Sequence, residues 1–125
     1  MVDTTDEWII TRTGIRERRI CQPDCATSDL AVLAAEEAMK DAGIEAGDLD
    51  LILVATVTPD MVFPSTACLL QGRLGAEKAA AFDLSAGCTG FIYALAVADR
   101  FLAAGDYRYI LVVGAETLSR ITDYT

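Results

Sequence analysis

Three short apolar runs, separated by two stretches of helical length, constrain the fold more than any other feature of this sequence. The runs are LDLILVAT (49–56), AAAFDL (79–84) and YILVVGAE (109–116). Between them lie STACLLQGRLG (65–75) and CTGFIYALAVADRFLAAG (88–105). The first run is continuously apolar, which is typical of a strand covered on both faces. The series of strand, helix, strand, helix and strand predicts an α/β fold with a parallel sheet and right-handed crossovers.

A further helix is predicted before the first strand, over TSDLAVLAAEEAMKDAG (27–43). Thr27 or Ser28 would be its N-cap, and Gly43 would end it. Apolar residues at helical spacing predict which face packs on the core, and they are Leu30, Leu33, Ala34 and Ala38.

The helix predicted over residues 88–105 is apolar on nearly every side, and such a helix is usually buried on most of its surface. A chain of 125 residues has little material to cover it, which suggests that more protein normally surrounds it. Its apolar residues are Phe91, Ile92, Leu95, Ala96, Val97, Ala98, Phe101 and Leu102.

The composition limits the class of protein and its partners. With 125 residues and 53% hydrophobic content, the chain has the size of one globular domain. A formal net charge of −9 argues against a nucleic-acid partner. No apolar run approaches the roughly 18 residues that a membrane span needs, and the acidic start MVDTTDEW is unlike a signal peptide. We therefore expect a cytoplasmic protein that does not enter a membrane.

Four cysteines occur, and in a chain without secretory features we expect reduced thiols. Cys21 and Cys25, in CQPDC, could suggest a metal clip, but zinc would need two further ligands. The sequence has no histidine, Cys68 lies in a predicted helix, and Cys88 lies between a strand and a helix. No metal site is therefore expected, and the role of Cys21 and Cys25 stays unassigned.

Cys88 stands in DLSAGCTGF (83–91), between the end of a predicted strand and the start of a predicted helix. A thiol in the first turn of a helix faces unsatisfied N–H groups and the positive end of the helix dipole, which favour the thiolate. Cysteines in such positions have pKa values between roughly 3.5 and 7.5, against about 8.5 for a free thiol. Gly87 would permit the sharp turn, and Gly90 would keep the first helical turn open. The pattern predicts a nucleophile.

An alternative for Cys88 is open on the sequence alone, because free cysteines are often small buried hydrophobes. A thiolate also needs a base or a charge partner, and a chain without histidine offers no obvious one. The flanking glycines and the strand–turn–helix context favour the nucleophile.

Four segments together resemble β-ketoacyl-[acyl-carrier-protein] synthase III, the initiating condensing enzyme of bacterial fatty-acid synthesis, within the thiolase-like superfamily. The resemblance covers essentially the whole chain, and the pairing of the opening DEWIITRTGIRER with GCTGF is its most specific part. The segments are DTTDEWIITRTGIRERR (3–19), FPSTAC (63–68), FDLSAGCTGFIYALAVADRFL (82–102) and ILVVGAETLSRITDYT (110–125).

The resemblance implies a five-layered α-β-α-β-α fold, in which residues 1–125 form most of the first of two similar halves. The apolar helix would then lie in the central layer. The resemblance also implies that the chain is incomplete, because a first strand would precede it and the catalytic histidine and asparagine would belong to the second half. The fragment alone would therefore be inactive.

For Cys88, the resemblance implies attack on an acyl-CoA thioester and storage of the acyl group. Malonyl-acyl-carrier protein would then lose CO₂ and accept that acyl group. Acyl-CoA is thus a substrate, and no resident cofactor or metal is implied.

The resemblance also assigns binding roles. Trp8 and Arg12, which share a face if their segment is helical, would flank the adenine of coenzyme A, with Thr4 at the same end. Alternatively, Arg12 would meet a phosphate. Phe63 would reach across a homodimer to close the partner's acyl pocket, and Leu118 would line that pocket. Without the resemblance, Trp8 would be read as a core residue, Arg12 as a solvated charge, and Phe63 and Leu118 as ordinary apolar residues.

Arg16, Arg18 and Arg19 follow Arg12 within a few positions of an otherwise acidic chain. We expect these three to form a solvated or ion-paired face rather than a phosphate site.

Two other hypotheses are open. A biosynthetic thiolase, a hydroxymethylglutaryl-CoA synthase or a plant-type (type III) polyketide synthase would also use an acyl-cysteine, although the Trp8–Arg12 motif favours synthase III. Alternatively, the chain is a non-catalytic fragment or an assembly partner, which would expose apolar surface and associate or aggregate.

Overall fold

The structure is a computed structural model that describes residues 3–125. Within this range it contains four α-helices, three β-strands and three short 3-10 turns. The α-helices are α1 (Asp6–Thr13), α2 (Thr27–Ala42), α3 (Thr66–Leu74) and α4 (Gly90–Ala104). The strands are β1 (Leu51–Ala55), β2 (Ala80–Leu84) and β3 (Ile110–Gly114), and the 3-10 turns are Ala46–Asp48, Gly87–Thr89 and Leu118–Arg120.

The three strands form one parallel sheet in the order β2–β1–β3, which confirms the predicted α/β fold with parallel strands. In the central strand β1, Leu53 lies opposite Phe82 on β2 and opposite Val112 on β3. All five residues of β1 are buried. Helices cover both faces of this strand, as its continuous apolar run predicts.

Helices α2 and α3 pack on one face of the sheet, and α4 packs on the other. On the first face, Ile52 of β1 belongs to a core cluster with Leu70 of α3 and Ala35 of α2. On the second face, Leu53 belongs to a core cluster with Ala94 of α4. Successive residues of a strand point to opposite faces, so β1 contributes to both cores.

Two helices end and one begins where the sequence predicts. At the start of α3, the Ser65 hydroxyl accepts the N–H of Cys68 at 3.2 Å. Gly75 ends α3 and Gly43 ends α2, each in the left-handed conformation that glycine adopts without strain.

The start of α2 differs from the prediction. Its N-cap is Ala26, rather than Thr27 or Ser28. Both of these residues are buried, and their hydroxyls donate to partners that are distant in sequence. Thr27 donates to the carbonyl of Thr58, and Ser28 donates to the carboxylate of Asp60 at 2.6 Å. Tertiary hydrogen bonds thus replace the predicted local cap.

The apolar face predicted for α2 is also wrong. Leu30, Leu33, Ala34 and Ala38 are all exposed. Two interleaved sets of residues on this helix have the spacing of an apolar face, so periodicity alone does not distinguish them. The set that packs on the sheet and α3 consists mainly of smaller side chains, and it is Ala31, Val32, Ala35 and Met39.

Helix α4 contacts the sheet through a narrow strip of small residues. Its buried residues are Gly90, Ala94 and Ala98. The described part of the chain therefore does not bury this helix on most sides, and the expectation that more protein normally surrounds it stays a prediction. Its large apolar side chains face outward, and the exposed ones are Phe91, Ile92, Tyr93, Leu95 and Leu102.

The segment Gly87–Ala104 is long and apolar enough to cross a membrane, judged by length and composition alone, with a mean hydropathy of 1.3. This finding corrects the expectation that no run in the sequence approaches that length. The α-helical part contains 15 residues. At 1.5 Å per residue it measures roughly 22 Å, against about 30 Å for the hydrocarbon of a bilayer. A helix that is apolar on every side is also typical of the interior of a large protein.

Asp50 connects the start of β1 to the segment before β3. Its Oδ2 atom accepts the N–H of Tyr109 at 3.0 Å and the N–H of Arg108 at 2.7 Å. These two hydrogen bonds lower the pKa of the Asp50 carboxyl below its ordinary value.

Because folding lowers this pKa, the bonds to Asp50 stabilise the protein fully above the ordinary carboxyl value of about 4, and their contribution is lost as the pH falls through the folded-state pKa. We therefore expect Asp50→Asn to make the melting temperature fall less steeply with pH below about pH 4. Thermal scans over that range measure the slope, with the exposed Asp41→Asn as a matched control. Equal slopes for wild type and Asp50→Asn would contradict the assignment.

Thr66 is fully buried in α3, and its Oγ1 atom has no hydrogen-bond partner among the described residues. A buried, unsatisfied hydroxyl costs about 1–3 kcal/mol, and valine has nearly the same shape without the polar atom. We therefore expect Thr66→Val to raise the free energy of unfolding by about 1 kcal/mol. Thermal unfolding measures the change, and a lower melting temperature than wild type would show that the hydroxyl has a partner after all.

Candidate active site

Cys88 lies where the carboxyl end of β2 leads into α4. It is the middle residue of the 3-10 turn Gly87–Thr89, which directly precedes the helix. The sequence predicts it in the first turn of the helix, and the structure places it one short turn earlier. The Cys88 residue is exposed, whereas Cys21, Cys25 and Cys68 are partly buried. The alternative of a buried core cysteine does not describe this position.

Two glycines shape the turn around Cys88. Gly87 has a φ of +55°, which L side chains rarely adopt, so the predicted sharp turn is confirmed. At Gly90, an added Cβ would lie 3.3 Å from the Cβ of Ala55. The role of Gly90 is therefore close packing of α4 on β1, rather than an open first turn.

The Cys88 cavity, as we name it, has a volume of about 240 Å³ and lies at the carboxyl ends of β1 and β3. Ligands of parallel α/β sheets bind at this edge. The predicted pocket residue Leu118 also lines it, and the one ionisable group besides the thiol is the carboxylate of Glu116. The other lining residues are Ala55, Val57, Gly87, Phe91, Gly114 and Ala115.

The backbone of Gly87 offers a direct check on the turn. We expect Gly87→Ala to destabilise the protein by about 1–2 kcal/mol, because a β-carbon is strained at positive φ. Asparagine tolerates this conformation better, so Gly87→Asn should lower the stability of the protein by less. Thermal unfolding should rank the melting temperatures as wild type, Asn and then Ala. A Gly87→Ala protein as stable as the wild type would mean that the turn is not left-handed.

Glu116 connects the segment after β3 to the segment after β1. Its Oε1 accepts the N–H of Val57 at 2.9 Å. Its Oε2 accepts the N–H of Thr58 at 3.1 Å, the Thr58 hydroxyl, and the Thr56 hydroxyl at 3.2 Å. Glu116 is not among the site residues predicted from the sequence. An acidic side chain directly after a buried strand, in VVGAE, is the signal that could have identified it.

Asp83 on β2 connects the strand that leads to Cys88 with the start of α3. One carboxylate oxygen accepts the N–H of Thr66 at 2.8 Å, and the other accepts the N–H of Ala67 at 2.7 Å. These N–H groups have no partner within the helix, and a negative charge is favourable at this end of the helix dipole. Asp83 thereby also fixes the end of the loop that carries Phe63. This contact is not predicted from the sequence either.

Trp8 and Arg12 lie on one side of α1, as the sequence predicts for a helical segment. The guanidinium carbon of Arg12 lies 4.3 Å from the centroid of the Trp8 ring. A base inserted between them would need roughly twice the 3.5–4.0 Å contact distance, so the pair does not flank an open slot. Thr4 precedes the N-cap residue Thr5, whose hydroxyl accepts the N–H of Trp8 at 3.1 Å.

The basic residues after α1 are partly ion-paired. Arg18 pairs with Asp6 at 2.8 Å, and Arg19 pairs with Glu17. All four side chains are more than half exposed. For Arg18 and Arg19, the expectation of a solvated, ion-paired face is confirmed.

Phe63 stands apart from the Cys88 cavity. It is 86% exposed, at the end of a loop in which Met61 and Val62 are also exposed. Of the predicted binding residues, Leu118 lines the cavity. The described lining does not include Thr4, Trp8, Arg12 or Phe63. The structure therefore brings Cys88 and Leu118 together and leaves the other predicted site residues at separate places on the surface.

Cys21 and Cys25 line a second cavity of about 470 Å³, together with Leu118 and Ser119. The N–H of Cys21 donates to the Ser119 hydroxyl at 3.1 Å. Partial burial, with the nearby Asp29 carboxylate, raises the pKa of the Cys25 thiol. Within residues 3–125, no group of three or more histidine, cysteine or acidic side chains is placed to hold a metal ion.

Comparisons with known proteins find a family model, curated relatives and solved structures that are similar to this chain. The family model described as 3-oxoacyl-[acyl-carrier-protein] synthase III matches residues 82–125, which include Cys88, Glu116 and Leu118. A β-ketoacyl-[acyl-carrier-protein] synthase III from Caldanaerobacter subterraneus subsp. tengcongensis is 63% identical over 99% of this chain and 38% of its own length. The crystal structure of 3-oxoacyl-[acyl-carrier-protein] synthase III from Aquifex aeolicus superposes with a TM-score of 0.86 at 52% identity, over 97% of this chain and 39% of that one.

A third similar protein acts under a different name. The priming β-ketosynthase of the R1128 polyketide pathway superposes with a TM-score of 0.86 at 40% identity, over 97% of this chain and 36% of that one. The chain thus spans about two fifths of the length of the curated relatives that it matches. These structural relatives confirm the predicted thiolase-like fold. Over that stretch, the predicted resemblance to β-ketoacyl-[acyl-carrier-protein] synthase III is confirmed.

Proposed function

We propose that this chain carries the nucleophile of a β-ketoacyl-[acyl-carrier-protein] synthase III, an acyltransferase that condenses an acyl-CoA primer with malonyl-acyl-carrier protein. The observation that carries the proposal is the exposed Cys88 in the lining of an apolar cavity at the carboxyl edge of the sheet. Relatives that are named for this activity, at 63% identity, support it.

In the first half-reaction, Sγ of Cys88 attacks the carbonyl carbon of the acyl-CoA thioester. A new carbon–sulfur bond forms, and the bond to the sulfur of coenzyme A breaks. Coenzyme A leaves as its thiol, with the proton that Sγ gives up. The acyl chain then lies against the apolar lining of the Cys88 cavity. Such a covalent intermediate divides a difficult transfer into two easier steps.

In the second half-reaction, malonyl-acyl-carrier protein loses CO₂, and the resulting carbanion attacks the acyl carbon on Cys88. A carbon–carbon bond forms as the carbon–sulfur bond to Cys88 breaks, and Sγ regains a proton. The step needs a base and donors that stabilise the enolate, and this sequence contains no histidine. By resemblance, a histidine and an asparagine of the family's second half supply them. We therefore expect residues 1–125 alone not to condense acyl groups.

Trp8, Arg12 and Thr4 are proposed to bind coenzyme A as part of the substrate, without a resident cofactor. Because Arg12 covers one face of the Trp8 indole, the adenine would stack on the opposite face, or Arg12 would swing out towards a phosphate. Stacking of a base on an aromatic side chain is worth about 1–3 kcal/mol. The half-exposed indole has the free area that this needs.

Phe63 and Leu118 are proposed to bound the acyl pocket, with Phe63 reaching a partner subunit in a homodimer. The 86% exposure of Phe63 supports a contact outside this chain, and the position of Leu118 in the Cys88 cavity supports a lining role. We propose a cytoplasmic protein in which the outward face of α4 is covered by further protein of the same fold.

Acyl transfer to Cys88 tests the proposed function. The complete protein that carries this segment is incubated with acetyl-, branched- or longer-chain acyl-CoA, without malonyl-acyl-carrier protein, and its mass and peptide map are recorded. We expect an acyl group on the peptide that contains Cys88. No acyl group should be found when the protein is treated with iodoacetamide before acyl-CoA is added. Acylation of Cys21, Cys25 or Cys68 instead, or no acylation by any acyl-CoA, would refute the proposal.

A second candidate keeps the acyl-cysteine and changes the acceptor. The similarity to a priming β-ketosynthase of a polyketide pathway favours a different carrier protein. The acceptor distinguishes the candidates. Synthase III requires malonyl-acyl-carrier protein of fatty-acid synthesis, whereas a polyketide priming enzyme prefers its own carrier and a thiolase uses acetyl-CoA.

A further inference from the structure

The carboxylate of Glu116 holds two loops against each other beside Cys88. The loop after β1 supplies all four donors, which are the N–H groups of Val57 and Thr58 and the hydroxyls of Thr56 and Thr58. Hydrogen bonds to an ionised group are about twice as strong as neutral ones, so this contact restrains both loops.

Each of the two loops carries a large apolar side chain that lines the Cys88 cavity. Val57 belongs to the loop after β1, and Leu118 belongs to the segment after β3. Both are partly exposed, at 42% and 51%, so packing alone does not fix them. Their separation therefore depends on the bonds that Glu116 makes to the opposite loop.

Glu116 and Leu118 also separate two cavities. Both residues line the Cys88 cavity of about 240 Å³ and the second cavity of about 470 Å³ that contains Cys21 and Cys25. The two residues thus lie between the cavities, with Cys88 in the lining of one and the larger space of the other on the opposite side. An acyl chain that passed these two residues would have much more room.

Glu116 is not suited to act as a base. Its Oε2 already accepts three hydrogen bonds, and its Oε1 accepts a backbone N–H. A carboxylate with its lone pairs occupied in this way holds its neighbours in place rather than taking a proton from a substrate. The geometry therefore makes Glu116 a positioning residue.

We propose that Glu116 sets the length of the acyl group that Cys88 accepts, by fixing Val57 and Leu118 and keeping the second cavity separate from the Cys88 cavity. This inference rests on the proposed acyl transfer to Cys88 and deepens it by naming what limits the substrate. Loosening these contacts should admit longer chains while the thiol itself stays as accessible as before.

The test uses Glu116→Gln in the complete protein. Glutamine keeps the size of the side chain but presents an NH₂ group to donors that need an acceptor. Acylation of Cys88 by acetyl-, hexanoyl- and decanoyl-CoA is followed by intact mass, and the ratio of decanoyl to acetyl rate constants is compared with wild type. We expect this ratio to rise about tenfold, in the range that contacts in apolar pockets control. Glu37→Gln, an exposed change on α2, is the matched control and should leave the ratio unchanged.

Iodoacetamide labelling of Cys88 supplies the readout that separates positioning from general damage. This small reagent needs no acyl cavity, so its rate should stay within about twofold of wild type in Glu116→Gln. Thr56→Val removes one donor to Glu116 while keeping the volume, and it should raise the ratio in the same direction. If Glu116→Gln does not fold, the ratio measured for Thr56→Val tests the proposal instead.

The outcomes are separable. A wild-type protein that is acylated, with an unchanged ratio in the folded variants, overturns this inference and leaves the proposed function standing. A wild-type protein that is not acylated by any of the three thioesters overturns both. A lower iodoacetamide rate in step with all three acylation rates shows damage to the thiol and also overturns the inference.

Discussion

Replacing Cys88 by alanine should lower the rate of acyl-thioester condensation in the complete protein by a factor of about 10⁴ or more. Alanine cannot form the acyl intermediate, and no other thiol in the described chain lines the Cys88 cavity. Because Cys88 is exposed and lies in a short turn, the loss should come without loss of the fold. Steady-state formation of the β-ketoacyl product measures the rate, and thermal unfolding measures the fold.

Cys68→Ala is the matched control for this experiment. The Cys68 thiol is partly buried and makes a contact of 3.2 Å with the Ser65 hydroxyl, away from the Cys88 cavity. Its removal should leave the condensation rate within about threefold of wild type. A Cys88→Ala protein that keeps a rate comparable to this control would exclude Cys88 as the nucleophile.

Replacing Asp83 by asparagine should destabilise the protein by about 3 kcal/mol, since hydrogen bonds to a charged group are worth about 1.5–3 kcal/mol each and two are weakened. Asparagine has one acceptor oxygen, so one of the N–H groups of Thr66 and Ala67 would face its NH₂ group instead. The start of α3 would lose a favourable charge as well. The melting temperature and the urea midpoint of the complete protein measure the change.

Asp41→Asn, at an exposed position near the end of α2, is the control for the change of charge and should alter stability by less than about 0.5 kcal/mol. A second measurement concerns the loop before α3. If Asp83 fixes this loop, protease cleavage between Met61 and Phe63 should be faster in Asp83→Asn than in wild type or the control. Equal stability and equal cleavage would show that Asp83 does not hold the helix start.

The sequence predicts the parts of this fold that depend on local patterns. The continuous apolar run of β1 indicates a strand covered on both sides, and Gly43 and Gly75 mark helix ends because few other residues adopt a left-handed backbone. Cys88 is also visible from the sequence, since a cysteine between Gly87 and Gly90 follows a strand and precedes a helix. Each of these predictions uses neighbours within a few positions.

The features that the sequence does not predict depend on contacts between distant segments. Thr27 and Ser28 are residue types that often act as N-caps. Their hydroxyls instead donate hydrogen bonds to the carbonyl of Thr58 and the carboxylate of Asp60. Glu116 has no signal as a clamp until the loop after β1 is placed beside it. Local composition cannot distinguish an acidic residue that binds water from one that accepts four hydrogen bonds.

The buried face of α2 and the surroundings of α4 show a further limit of prediction from the sequence. Leu30 and Leu33 are more hydrophobic than Ala31 and Ala35, yet the alanines pack on the sheet, because small side chains allow a close approach. On α4, the same preference for small contact residues leaves the large side chains outside. A pattern of hydrophobicity shows that a helix will be covered, but it does not show which side is covered within one segment of chain.

The central place of β1 has a consequence for synthesis on the ribosome. Leu51 pairs with Ala80 on one side and with Ile110 on the other. The emerging polypeptide must therefore carry its most hydrophobic strand in the open until both flanking partners have been translated. Contacts between positions so far apart in sequence form late, and nascent chains that lack them are prone to aggregation. Early binding by a holdase chaperone should therefore raise the yield of this protein more than the yield of a helical chain of equal length.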